Sequence, residues 1–167
     1  DANATGEIFT YYNKCFYNII WGLYGIQAND TDNTKSGLIN TNNLIAKKWS
    51  IEDAITIWEK ILNLREDDGN GWFVGNQQEL LKLKKYINAN GKIISSDSEN
   101  FTGSYIRSGT FVSIYSCIED EHYEDDLYGD CVYSIKMYTD ENDWESGDKN
   151  YNYDCPIIVM LPIRQFM

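Results

Sequence analysis

The chain has 167 residues, enough for one domain with a substantial core, and 43% hydrophobic against 24% charged residues place it among globular rather than disordered chains. Its formal net charge of −12 leaves no basic stripe to neutralise phosphates, which excludes nucleic acid and anionic membrane surfaces as partners. A basic protein partner or a cation is permitted by that charge but not implied by it.

Residues 6–26 are rich in β-branched and aromatic side chains and predict one or two strands, with Gly22 and Gly25 marking turns or bulges. The apolar part of this segment is interrupted by Asn18 and both glycines, and is shorter than the about 18 apolar residues a membrane-spanning helix requires. The chain opens on Asp1 with neither an initiator Met nor a secretory leader, as a mature or trimmed chain would. Residues 27–43 are dense in turn formers and predict a polar loop.

Two helices follow. Ser50, with Asp53 three residues on, predicts the start of the first, whose inward face is Ile51, Ala54, Ile55, Trp58, Ile61 and Leu62. A turn through Gly69, Asn70, Gly71 and Trp72 leads to the second. Asn76 and Glu79 form its capping box, Leu80, Leu83 and Ile87 its apolar stripe, and Asn90-Gly91 its stop. Lys82, Lys84, Lys85 and Lys92 crowd its C-terminal half, where cations suit the helix dipole, and predict a solvated face. Trp49, Trp58 and Trp72 are placed in the core.

From residue 93 onward the pattern alternates as in strands. The candidates are 104–106, 110–117, 131–139 and 156–163. In the second, Phe111, Ser113 and Tyr115 share one face against Val112 and Ile114. In the third, Tyr133, Ile135 and Met137 oppose Val132, Ser134 and Lys136. The last candidate is almost wholly apolar, so it belongs at the centre of a sheet, bracketed by Pro156 and Pro162. Polar loops 118–130 and 140–154 join these strands.

The four cysteines lie at 15, 117, 131 and 155, with no paired spacing suited to zinc. They allow three disulfide connectivities or four buried thiols. If the strands ending at Cys117 and starting at Cys131 pair as a hairpin, both sulfurs sit at its mouth. A bridge there stabilises by roughly 3 kcal/mol in the loop-entropy picture. Cys15 and Cys155 are then the remaining pair, which requires the first and last strands to lie side by side.

Helix, Gly71-Trp72 turn, helix with Glu79-Leu80 near its start, aromatic strands including Phe111-Val112-Ser113, and a closing Ile163-Arg164-Gln165-Phe166: this order resembles bacterial C-type-lectin-like domains. The most similar kinds are the C-terminal domain of collagen-like adhesins and the variable proteins of diversity-generating retroelements. The Leu-Pro-Thr centre of the family's Gly-Trp motif is replaced here by Val74-Gly75-Asn76. The resemblance spans roughly residues 49–167. It implies a single α+β domain over residues 1–167, with two helices packed on a small twisted antiparallel sheet with long loops and the first strand paired with the last. It also implies glycan or protein binding through the loop-bearing end of the late sheet, and an extracellular, cell-surface or virion-associated setting.

Thirteen tyrosines and five tryptophans beside abundant Asn, Asp, Ser and Gly suit an adaptable binding surface, and equally a coding bias toward Asn, Tyr, Ile and Lys. Aromatics in polar loops have little core to fill, while sugars and protein hot spots favour them. Tyr115, Tyr123, Tyr128, Asp143, Trp144, Tyr151 and Tyr153 are therefore the candidate ligand-binding residues. The competing role for these aromatics is a lid over the sheet. The acidic loop offers oxygens to Ca²⁺, best through Glu124, Asp125 and Asp126, but without EF-hand spacing the loop reads as solvated and no cofactor is assigned. His122, the single histidine, lies in that loop beside no nucleophile signature, so no catalytic residue is assigned. The expectation is a non-enzymatic recognition or adhesion module for a glycan or cell-surface protein. The alternative is a structural subunit of a virion or cell surface built on the same fold.

Overall fold

A computed structural model of the chain describes residues 9–11, 14–17, 20–22, 31–47, 55–68, 71–90, 95–96, 113–119, 131–136, 143–148, 159–160 and 163–165. Among these the chain is α+β. Its helices are α1 (Gly37–Ala46), α2 (Ile57–Asp68) and α3 (Gln77–Asn90). Its strands are β1 (Phe9–Tyr11), β2 (Lys14–Tyr17), β3 (Ser95–Ser96), β4 (Ser113–Glu119), β5 (Cys131–Lys136), β6 (Trp144–Asp148), β7 (Val159–Met160) and β8 (Ile163–Gln165). The strands run in the order β3-β2-β7-β4-β5-β6, with β1 and β8 forming a separate antiparallel pair. The continuous part is the antiparallel meander β4-β5-β6. The predicted strand 104–106 lies outside the described residues.

Helix α1 occupies what the sequence predicts to be a polar loop. Its inward residues, Gly37, Asn40, Thr41 and Leu44, keep helical spacing but are mostly polar, so no apolar stripe announces them. Each polar group is satisfied. Asn40 accepts the Asp32 amide through Oδ1 at 2.7 Å and donates through Nδ2 to the carbonyls of Asp32 and Ser36. The Thr41 hydroxyl accepts the Val74 amide at 3.0 Å. Ser36 caps the helix through its hydroxyl.

Helix α2 starts later than Ser50 and Asp53 predict. Residues 55 and 56 stand ahead of the helix, because Thr56 bridges Ile20 and the Ile57 amide donates to the Ile20 carbonyl at 2.8 Å. Thr56 then caps the helix, its hydroxyl accepting the Glu59 amide at 3.3 Å. The later start rotates the inward face. Ile57, Trp58, Ile61 and Leu64 are buried, whereas Ile55 and Leu62 are exposed. Ser50, Ile51 and Ala54 lie outside the described residues, as does Trp49.

Helix α3 starts as predicted. The Glu79 amide donates to Asn76 Oδ1 and the Asn76 amide to Glu79 Oε1, both at 2.9 Å. Leu80 and Leu83 are buried. Lys84 departs from the predicted solvated face: it is only 1% exposed, because it follows Leu83 on the inward stripe one turn beyond Leu80.

The segment 71–76 joins these elements. Gly71 takes a φ of 109°, which a side-chain-bearing residue rarely adopts. The Phe73 amide and carbonyl both bond Ile163, each at 2.8 Å. The Gly75 carbonyl accepts the Cys117 amide at 3.0 Å. The α1 N-terminus packs so closely here that a Cβ on Gly37 would lie 2.5 Å from the Val74 carbonyl oxygen. Trp21 and Trp58 meet edge to face at 5.3 Å in the core beside Leu44, Ile61, Val74 and Val132.

Candidate functional site

The meander carries the late sheet's predicted binding residues, and the structure divides them. Tyr115 is 2% exposed, faces the core, and pairs with Ser134 across β4 and β5. Its assignment to a ligand surface is corrected: β4 is buried on both faces, so its alternation does not separate an inner from an outer side. Trp144 and Asp143 lie together at the far edge of the sheet. Tyr123, Tyr128, Tyr151 and Tyr153 lie outside the described residues, as do His122, Glu124, Asp125 and Asp126.

Trp144 is not in a loop, as its polar neighbours predict, but opens β6. Five consecutive residues of β6 pair with β5, from Ile135↔Trp144 to Cys131↔Asp148, without a shift of register. Ile114 pairs with Ile135 and Ile135 with Trp144, so the indole ends a row of apolar positions that begins in the core. Ile114 and Ile135 are fully buried, while Trp144 is partly open and Asp143 exposed. Lys136 and Glu145 form an ion pair at 3.1 Å on the same two strands. Both are about two-fifths exposed, so solvent screens the pair to between about 0 and 1 kcal/mol.

A bulge fixes how this end is presented. Between Tyr115 and Glu119, four residue steps of β4 face only two of β5, from Ser134 to Val132. The Ser116 hydroxyl fills the irregularity, accepting the Ile118 amide and donating to the Tyr133 carbonyl at 2.8 Å. The Trp21 indole donates to the Ser116 carbonyl at 2.9 Å. Just beyond, the Glu119 amide donates to the Thr31 hydroxyl at 3.2 Å, which ties the root of the acidic loop to the segment before α1.

Of the two readings open for Cys117 and Cys131, the structure has the buried thiols and not the bridge. The strands do pair as a hairpin, but both residues are thiols. Cys117 sits within the bulge with its amide turned to Gly75, while Cys131 pairs onward with Asp148. Burial pushes the Cys117 thiol pKa well up, and the nearby Glu79 charge pushes it the same way. β1 and β8 do lie side by side. Cys155, however, lies outside the described residues.

The other perturbed groups are structural. Burial lowers the Arg65 guanidinium, which donates to the Trp72 carbonyl and to Asn42 Oδ1, both at 2.8 Å. Hydrogen bonds from the Thr34 hydroxyl and amide lower Asp32 in the turn before α1. No three His, Cys, Asp or Glu side chains gather as metal ligands among the described residues. At this end of the sheet the described residues hold a partly open indole, an exposed carboxylate and a regular strand pairing. No family model, curated protein or solved structure matches the chain.

Proposed function

We propose that this chain is a non-enzymatic recognition module of C-type-lectin-like architecture, binding a glycan or protein through the β5–β6 end of its late sheet. The observation that carries this is the position of Trp144. It is the candidate aromatic at the outer edge, beside exposed Asp143, whereas Tyr115 is consumed by the core. A partly desolvated indole with polar neighbours is the usual energetic centre of a contact surface.

The architecture is supported by how the motifs meet. The Gly71-Trp72-Phe73 turn and the closing Ile163-Arg164 stretch, far apart in sequence, touch through two backbone hydrogen bonds and a cation–π contact. The first and last of the described strands pair, as that architecture requires. No helix among the described residues is long and apolar enough to cross a membrane. An extracellular, cell-surface or virion setting belongs to the same proposal.

The test is binding of the folded protein to a glycan array and to heparin, with and without Ca²⁺, beside Trp144→Ala. Saturable binding that the substitution weakens about tenfold or more supports the reading. Binding that Trp144→Ala leaves intact overturns it. So does an obligate oligomer that buries β6 between subunits, which would favour an assembly role.

A further inference from the structure

We infer that the outer face of the α1–α2 pair docks an amphipathic helix of a partner protein, one that carries lysine or arginine along one flank of its apolar stripe. This surface is built from other elements than the β5–β6 end, so it stands or falls independently of the recognition reading above.

The first observation is apolar exposure gathered on two helices. Leu38 and Ile39 on α1, Leu62 on α2 and Ile55 just ahead of α2 are between 37% and 47% exposed. A single exposed leucine or isoleucine is ordinary. These four fall on helices that share one core cluster through Leu44, Ile57, Trp58 and Ile61. At the surface Arg65 ties the two helices, donating to Asn42 Oδ1 at 2.8 Å. Helix α1 also carries no charged residue from Gly37 to Ala46, and its open positions are Leu38, Ile39, Asn42, Asn43 and Ala46. A solvated helix face normally carries charge, whereas the centre of an interface is depleted of it.

The second observation is charge placed against the local rule. Glu66 and Asp67 sit in the last turn of α2, where the helix dipole is already negative and a carboxylate is unfavourable. Arg65, the base of that turn, is directed to the Trp72 carbonyl and to Asn42. Glu66 shares a face with Leu62, four residues before it, and with Glu59, three residues before that. Among the described residues, Glu59, Glu66 and Asp67 form no ion pair. Lys60, two residues from Leu62, lies on the opposite side of the helix. A feature that costs a helix stability, with no compensating contact among the described residues, is the mark of a functional surface.

Together these select the occupant. Helix α1 spans about 15 Å, the length of about three turns of a partner helix. An amphipathic helix lays its apolar stripe, at helical spacing, into such a face. Its bases meet Glu59 and Glu66 beside Leu62, while its other flank meets the uncharged side of α1. The acids lie on one side only, so the partner's bases do too. A second copy would bring the same carboxylates and a further net charge of −12 to the face, which like-charge repulsion opposes.

The experiment uses the full chain and three labelled synthetic peptides that share a Leu stripe at helical spacing. One has Lys along one flank, one has Glu in place of those Lys, and one is the Lys peptide broken by a central Pro. Anisotropy titration gives affinity, and sedimentation gives the association state of the chain. The expected result is saturable binding of the Lys peptide, weakened by salt, with the Glu and Pro peptides weaker by about tenfold or more. Leu62→Lys should weaken binding about tenfold, and Glu59→Lys with Glu66→Lys should turn the preference toward the Glu peptide. Glu66→Lys alone separates docking from structure: it should raise the urea midpoint, because a cation suits that helix end, while lowering affinity. Failure of the Lys peptide to bind, equal binding of the Glu or Pro peptide, a preference untouched by the double variant, or a Glu66→Lys protein that loses stability together with affinity overturns the inference. So does a concentration-dependent dimer that Leu62→Lys dissolves, which would assign the face to a second copy.

Discussion

The guanidinium carbon of Arg164 lies 4.5 Å from the centre of the Trp72 ring. One residue after Trp72 and one before Arg164, Phe73 and Ile163 exchange two backbone hydrogen bonds. Strand β8 is thus fastened to the segment between α2 and α3 by polar contacts on the backbone and an aromatic contact beside them. Because Trp72 is almost wholly buried, the cation is partly desolvated, where such contacts strengthen. Arg164→Met keeps the apolar stem and removes the charge. It should lower stability by about 0.5–2 kcal/mol in urea denaturation, whereas Arg164→Lys should retain part of the contact. An Arg164→Met protein as stable as the parent would show that the ring and the cation contribute nothing to each other.

Glu79 serves two helices. Its Oε1 accepts the Asn76 amide at 2.9 Å, completing the α3 cap, and the Gly37 amide at 2.7 Å in the first turn of α1. A carboxylate at two helix N-termini satisfies two donors that would otherwise lack partners and meets both dipoles with the favourable sign. Loss of one such cap costs about 1 kcal/mol, so Glu79→Ala should cost about 2 kcal/mol. Ser36→Ala, which removes only an α1 cap, should cost about half as much. Equal losses from the two substitutions in denaturant titration would contradict the double role.

The capping box of α3 is legible in the sequence because Asn76 and Glu79 act within one turn and need no tertiary partner. Helix α1 is not, because its buried positions are Asn40 and Thr41, whose burial is permitted only by carbonyls and amides brought from elsewhere in the fold. The start of α2 depends on a bridge from Thr56 to Ile20, 36 residues away, which overrides the better local signal at Ser50. The site divides in the same way. Trp144 was identifiable as an aromatic among charges, but its place on an edge strand follows from pairing with β5. Tyr115 alternates correctly, yet its whole strand is interior, which no alternation can reveal.

Cys117 should be inert in the folded protein. Its thiol is fully buried, and both desolvation and the Glu79 charge oppose its ionisation. An aromatic disulfide reagent near neutral pH should label it only after denaturant is added, and peptide mapping should find no Cys117–Cys131 bridge. The pH dependence has a definite sign. A folded pKa above the unfolded value of about 8.5 means that the unfolded state loses its proton first. Stability is therefore unaffected below that pH and falls as pH climbs from it toward the folded value. Cys117→Val should remove this contribution. A parent and variant with parallel stability profiles above that pH would place the thiol in water.

Tyr115 and Trp144 should respond to alanine in opposite ways, which separates packing from binding. Tyr115 is enclosed by the core cluster with Trp21, Trp58 and Val132, and an aromatic removed from such a place leaves a cavity worth about 3–5 kcal/mol. Trp144 is partly open at the start of β6, so its loss should cost well under that amount. In ligand titration the order reverses: Tyr115→Phe, which keeps the ring, should bind as the parent does, while Trp144→Ala should bind about tenfold more weakly or worse. The two measurements are made on the same folded samples, so a loss of binding cannot be an unfolding artefact. Should Trp144→Ala instead destabilise as severely as Tyr115→Ala, the indole would be a lid closing the core, and β6 would have no aromatic anchor to offer a partner.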